Sequence, residues 1–164
     1  RLGPPLEHLL ADHLPPDQVG PAGDRFRALY PGHAIAMVPT LPGAREAIAA
    51  VRRHAGRVLV VTGKYAPNAR LHLDHLGLEV DRLEGWVWGT GKADVLREEG
   101  AGVYVGDHVH DVEGARAAGA LSVSVLTGGC ERAELLDAGT DVVLTSLHEF
   151  PDWLDDHVAE RPAS

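Results

Sequence analysis

Four side chains in this sequence have the types and the order needed to grip a phosphoryl group and a divalent cation: Thr62, Lys92, Asp107 and Asp111. Thr62 ends the apolar run Val58-Leu59-Val60-Val61, and Gly63 follows it. Asp107 ends a second run, Val103-Tyr104-Val105-Gly106, and Asp111 stands four residues further on. Lys92 opens a helical stretch between the two runs. A hydroxyl and an ammonium hold phosphate oxygens, while paired carboxylates hold Mg²⁺. Each residue alone has a plainer reading: Thr62 as a turn cap, Lys92 as a solvated lysine, Asp107 as a loop aspartate, Asp111 as a helix N-cap. Their joint order at the ends of successive elements favours the chemistry, because ligands of open parallel sheets bind outside the carboxyl ends of the strands.

The elements that must position them alternate. Gly43 to His54 has helical apolar spacing through Ala44, Ile48, Val51 and Ala55. The β-branched run Val58–Val61 suits a parallel strand buried on both faces. Pro67–Leu76 reads as a helix stopped by Gly77, and Lys92–Glu99 as one stopped by Gly100. A strand over Val103–Asp107, a helix over Val112–Ala118, a strand over Ser122–Leu126, a helix over Glu131–Ala138 and a strand over Val142–Leu144 follow. The closing helix runs through Leu147, Phe150 and Trp153, with Pro151 interrupting or ending a turn. Such alternation predicts an α/β fold, a Rossmann-like parallel sheet with helices on both faces. Residues 1–40 differ: two helical stretches, Leu6–Leu14 and Gly23–Tyr30, are punctuated by Pro15-Pro16 and Pro31-Gly32. They predict a small helical appendage, with the α/β body over residues 41–164. The last four residues, Arg161–Ser164, are expected to fray.

Composition narrows the partners. A net charge of −9 weighs against nucleic acid, whose phosphates need clustered Lys and Arg. No apolar run reaches the roughly 20 residues of a membrane span. Cys130 is the single cysteine, so no internal disulfide forms, and a cytoplasmic setting is the expectation. An acidic chain can still bind a small phosphorylated molecule if a metal supplies positive charge locally, so the charge excludes little else.

The stretch Val103-Tyr104-Val105-Gly106-Asp107-His108-Val109-His110-Asp111, continuing to Ala117-Ala118-Gly119, resembles the fourth motif of haloacid dehalogenase superfamily phosphatases, G-D-x-x-x-D before a small-residue helix. Val60-Val61-Thr62-Gly63-Lys64 resembles the second motif and Gly91-Lys92-Ala93-Asp94 the third. The pattern is most similar to the phosphoglycolate phosphatase-like branch. The resemblance implies a haloacid dehalogenase-like core behind a partial helical cap. It makes Asp107 the main Mg²⁺ carboxylate and Asp111 its helper. Thr62 and the Gly63 N–H then hold the transferring phosphoryl, and Lys92 neutralises its charge and orients the nucleophile; Lys64 ranks below Lys92. Both aspartates together favour phosphate chemistry over carbon–halogen cleavage.

The family's first motif, D-x-D-x-[T/V], is absent from this sequence. Its first aspartate attacks phosphorus and its second acts as general acid and base. The resemblance places the missing strand between the Val58–Val61 and Val103–Asp107 strands. Without it, inner-strand amides lose partners at about 1–3 kcal/mol each, against a domain stability of about 5–15 kcal/mol. A few dozen upstream residues are therefore expected, and the chain by itself is expected to fold poorly and to be inactive. The rival expectations are a non-catalytic binding module and a phosphomutase or phosphonate hydrolase of the same fold. A response-regulator receiver is rejected, since it needs the order Asp, Thr, Lys.

Other features have modest expectations. One of His108 and His110 faces substrate and the other solvent, with a Zn²⁺ site as the lesser alternative. Trp86 and Trp88 flank Val87 where the family branch has a strand, and are expected to pack or to form an interface rather than a nucleotide platform. Arg1 and Glu7 fall in a cap segment near the site in relatives, where a structural role is favoured. Cys130 is expected to be inert.

Overall fold

The computed structural model describes residues 5–89 and 91–160. The expectations for Arg1 and for the Arg161–Ser164 terminus lie outside these residues. Five parallel strands alternate with helices, as the hydrophobic pattern requires. Strands β1 (Leu59–Val61) and β2 (Arg82–Glu84) pair in one sheet; β3 (Val103–Gly106), β4 (Leu121–Val125) and β5 (Val142–Leu144) pair in a second, in that order. No ladder joins the two sheets among the described residues.

The three-stranded sheet carries the core. On one face α3 (Ala44–Arg53) and α8 (Phe150–Ala159) press Ala47, Ala50, Phe150 and Leu154 onto Val123, Val125 and Leu144. On the other lie α6 (Val109–Ala118) and α7 (Arg132–Asp137), with α5 (Gly91–Glu98) packed on α6. Val112, Ala115 and Leu135 are essentially inaccessible. β4 is buried on both faces, as a central parallel strand should be. Its two buried hydroxyls, Ser122 and Ser124, share Thr140 Oγ1 at 3.3 and 2.9 Å. Pro151 does not interrupt the last helix. It sits in the first turn of α8, where its missing N–H has no partner to lose; a short 3₁₀ turn, Leu147–Glu149, precedes it.

The N-terminal stretch is more helical than its prolines suggest. After α1 (Leu6–Ala11), α2 runs through Pro21 and Pro31 from Pro16 to Ala34. A proline removes one N–H, and lateral contacts hold the helix regardless. Arg27 bonds Glu7 at 2.6 Å and Asp24 at 2.8 Å, and its hydrogen bond holds the Glu7 carboxyl below the usual carboxylate range. Glu7 thus ties α1 to α2, the structural role favoured for it. Phe26 and Tyr30, one turn apart, meet at 5.6 Å.

Glu99, just after α5, accepts from Arg57 at 3.0 Å and Arg82 at 2.6 Å, tying the segment before β3 to the approach to β1 and to β2. Asp81 makes a second tie: Oδ2 accepts the Val58 N–H and Arg52 Nη1, each at 2.6 Å, joining α3 to the entry of β1. These bonds, the Val58 amide first, hold the Asp81 carboxyl below its ordinary value. A depressed folded-state pKa gives stability that is present above the unfolded pKa and fades as pH falls through the folded one. Asp81→Asn is therefore expected to melt below the parent protein at neutral pH, with the gap closing in acid. Melting curves at several pH values check this; a constant gap would assign the effect to packing.

Candidate active site

The carboxylate end of the site is built on β3 and the first turns of α6. Gly106 lets Asp111 fold back onto the strand, for a Cβ there would collide with the Asp111 side chain. Asp111 Oδ1 accepts from Lys92 Nζ at 2.6 Å and from the Tyr104 hydroxyl at 3.2 Å. Its Oδ2 accepts the Asp107 N–H at 3.3 Å. The Lys92–Asp111 pair is nearly enclosed, with side chains 12% and 8% exposed, and the Lys92 ammonium lies 5.9 Å from the Tyr104 ring centre. Burial, reinforced by the Asp111 charge, pushes the Tyr104 phenol far above its usual value, so it remains a neutral donor.

Asp107 is different. It is half-buried, packed so closely on the loop after β4 that a Cβ on Gly128 would collide with its carboxylate. Among the described residues no side chain donates to that carboxylate. Next to it, His108 caps α6 by accepting the His110 N–H at Nδ1 (3.2 Å), while exposed His110 pairs with Glu113 at 2.9 Å. His110 is thus the solvent-facing member of the pair.

Thr62 and Gly63 follow β1. Thr62 Oγ1 accepts the Lys64 N–H at 3.2 Å, leaving the hydroxyl proton free to donate. The Thr62 N–H bonds to Glu84 C=O at 2.9 Å and its C=O accepts from the Val87 N–H at 3.1 Å. By the alternation of a parallel ladder, Gly63 then turns its N–H away from β2. The connection from Gly85 to Gly91 links this group to the other: Trp86 N–H bonds to Lys64 C=O at 2.9 Å, and Lys92 N–H to Gly89 C=O at 3.2 Å. Lys92, Asp107 and Asp111 are therefore joined by direct hydrogen bonds, and the same connection ties the start of their helix to the segment after β1.

Trp86 and Trp88 lie in that loop, not on a strand; the strand is β2, which ends two residues before Trp86. Trp86 adopts a φ of +58°, which no strand permits. Lys64 turns elsewhere: Nζ donates to the Tyr30 hydroxyl at 2.6 Å, and Tyr30 pairs with buried His72 Nε2 at 3.0 Å. Burial first, then the charges of Lys64 and His75, hold the His72 imidazole below its ordinary pKa. Tyr30 thereby ties α2 to α4 (Ala66–Leu76), with Lys64 bonded to the same hydroxyl. A cavity of about 220 Å³ beside β1 is bounded by Val60, Thr62, Lys64 and His72. Tyr104, Tyr30 and His72 were not singled out by the sequence. The one available signal was Tyr104 itself, a phenol inside an apolar strand that must find a partner when buried.

Mg²⁺ takes oxygen ligands and manages with one or two carboxylates when phosphate and water complete its shell. Asp107, uncommitted, and the neighbouring Asp111 fit that need. They are a partial set, for among the described residues no group of three or more His, Cys, Asp or Glu is arranged to hold a metal.

Parallel strands flanked by helices, with Thr62 following β1 and Asp107 following β3, define an α/β protein. Comparison gives the family. Residues 9–116 match the haloacid dehalogenase-like hydrolase model, and residues 92–150 match a second, HAD-hydrolase-like one. The chain belongs to the haloacid dehalogenase-like hydrolase family. It is 31% identical over 162 residues to the tyrosine-protein kinase PtkA of Mycobacterium tuberculosis, covering 88% of this chain and 54% of that protein. The chain thus spans about half the length of the curated relatives it matches. The PtkA structure superposes with a TM-score of 0.66 at 30% identity, covering 93% of this chain and 78% of that one. A haloacid dehalogenase-like family hydrolase of Streptococcus pneumoniae gives 0.74 at 21% identity, covering 93% and 77%. A hydrolase from Pseudomonas syringae gives 0.71 at 20%, covering 92% and 77%. No helix among the described residues is long and apolar enough to cross a membrane.

Proposed function

We propose that the full-length protein is a Mg²⁺-dependent phosphomonoesterase acting on a small phosphorylated metabolite. The observation that carries this reading is the enclosed Lys92–Asp111–Tyr104 cluster beside the uncommitted Asp107 carboxylate. Asp107 would hold the cation, with Asp111 beside it; when bound, Mg²⁺ supplies positive charge to the phosphate oxygens. Thr62 O–H and Gly63 N–H donate to the phosphoryl group. Lys92 offsets its charge as the bond to the leaving oxygen breaks, and Asp111 fixes where that ammonium sits. The nucleophile is an aspartate of a D-x-D strand outside this sequence. Its oxygen bonds to phosphorus as the alkoxide leaves with a proton from the second aspartate, and water then releases phosphate from the aspartyl-phosphate. The chain as given, lacking both aspartates, is inactive on this reading.

The likeness to PtkA favours a second reading, phosphoryl transfer to a protein tyrosine. One experiment separates the two. Full-length protein with Mg²⁺ is given sugar, nucleotide and short-acid phosphates and assayed for inorganic phosphate. In parallel it is given ATP with a tyrosine-bearing protein and assayed for phosphotyrosine. Phosphate release from a small ester supports the phosphatase; phosphotyrosine without such release overturns it.

A further inference from the structure

We propose that the Lys64–Tyr30–His72 chain is a pH-sensitive latch, which fastens the N-terminal helices to the core while His72 is neutral and lets go when His72 takes a proton. The direction of its hydrogen bonds carries the inference. Lys64 Nζ has protons to give and no lone pair to accept with, so at 2.6 Å the Tyr30 hydroxyl oxygen is the acceptor. The one phenol proton is then left for His72 Nε2, 3.0 Å away. A ring nitrogen that accepts carries no proton, so the imidazole is neutral and its single proton sits on Nδ1. Nδ1 is buried and meets no partner among the described residues.

A second proton breaks this order. Nε2–H would turn on the oxygen to which Lys64 already donates, and two cations would share one phenol. Tyr30 from α2, Lys64 from the segment after β1 and His75 on its own helix are the groups that bear on His72, and no carboxylate is among them. His72 is only 8% exposed, so water does little to screen the added charge. The unfolded chain takes the proton at higher pH than the folded one. The stability the latch gives is therefore full above the ordinary histidine value of 6.5 and is lost as pH falls towards the lowered folded value. Lys64 lies two residues beyond Thr62, whose Oγ1 accepts the Lys64 N–H at 3.2 Å, so release frees α2 from α4 and from the segment that carries Thr62. Arg27, over the rings of Tyr65 and Trp86 at 6.0 and 5.7 Å, is an attachment without a histidine. Acid thus loosens α2 without detaching it.

The test uses full-length protein with ¹⁵N-labelled histidine and ¹³C-labelled tyrosine, followed by NMR from about pH 8 to about pH 5, the range in which histidine titrates. At the upper end His72 is expected as the Nδ1–H tautomer. On acidification the Tyr30 ring signal, assigned by its loss in Tyr30→Phe, should shift in one step together with His72. Amide exchange in α2, corrected for the intrinsic effect of pH, should quicken about five- to tenfold, the worth of one hydrogen bond. His72→Gln offers an amide oxygen near the place of Nε2 and does not titrate, so it should abolish both changes. Tyr30→Phe should exchange at the fast rate already at the upper end and show no further step. An Nε2–H tautomer there, or a Tyr30 step that survives in His72→Gln, overturns the proposal. So does a His72 that stays neutral throughout, or α2 exchange that ignores its titration.

Discussion

Asp107→Asn in the full-length protein is expected to lower kcat/KM for phosphate release by about a hundred- to a thousandfold, the scale of losing one charge-stabilising group at a reacting centre, without lowering Tm. The two halves of that expectation have separate causes. The Asp107 carboxylate accepts no hydrogen bond from a described side chain, so an amide in its place breaks no internal contact. Asp111 is its opposite in this respect. Asp111→Asn would leave the Lys92 ammonium, 12% exposed, without its counter-charge, and removing one partner of a buried pair costs about 3–5 kcal/mol. That variant should lose activity and melt early. Gly128→Ala is a check from the other side, for its methyl would push on the Asp107 carboxylate and should reproduce the Asp107→Asn defect with the aspartate still present. Rates measured across a Mg²⁺ titration, with Tm beside them, distinguish the three. An Asp107→Asn enzyme turning over at the parent rate would remove Asp107 from the mechanism.

How far such reasoning could start from sequence varies along the chain. The core strands were legible because β-branched runs buried on both faces look like nothing else: Ser122–Leu126 is shifted by one residue from β4, and Val142–Leu144 coincides with β5. The G-D-x-x-x-D spacing likewise placed Asp107 and Asp111 within reach of one another. β2 escaped because Arg82-Leu83-Glu84 offers one apolar residue between two charges, and the two tryptophans after it carry more strand propensity than the strand does. α6 starts three residues before the Val112 that the pattern predicts, since its cap is a histidine, an uncommon capping side chain. What no local pattern encodes is tertiary approach. That Trp88 lies on Gly63 depends on how the loop after β2 folds over the end of β1, and that Tyr104 and Lys92 converge on Asp111 depends on how α5 packs on α6 beside β3.

The division into two sheets leads to the other large expected effect, on amide exchange. In β1 the bonds of Val58 and Thr62 run to β2, so by alternation Leu59 and Val61 point their N–H and C=O groups the other way. In β3 the Gly102 carbonyl accepts from Leu121, which turns Val103 and Val105 away from β4. Four apolar residues thus present unpaired backbone, and every residue of β3 is only half-buried although its sheet carries the core. We infer that in the full-length protein a parallel strand bearing the D-x-D motif lies between β1 and β3, pairing both edges and setting its aspartates between Thr62 and Asp107. Exchange at Val61 and Val105 should then be fast in the 164-residue segment and slower by at least about a thousandfold in the full-length protein, since about 4 kcal/mol of opening free energy is modest for a central strand. Val123, on β4 between two paired neighbours, reports any global loss of stability in the segment, and the change at Val61 and Val105 should exceed its own. Equal exchange at Val61 and Val105 in the two proteins would mean that no strand enters, and the nucleophile would have to be sought elsewhere.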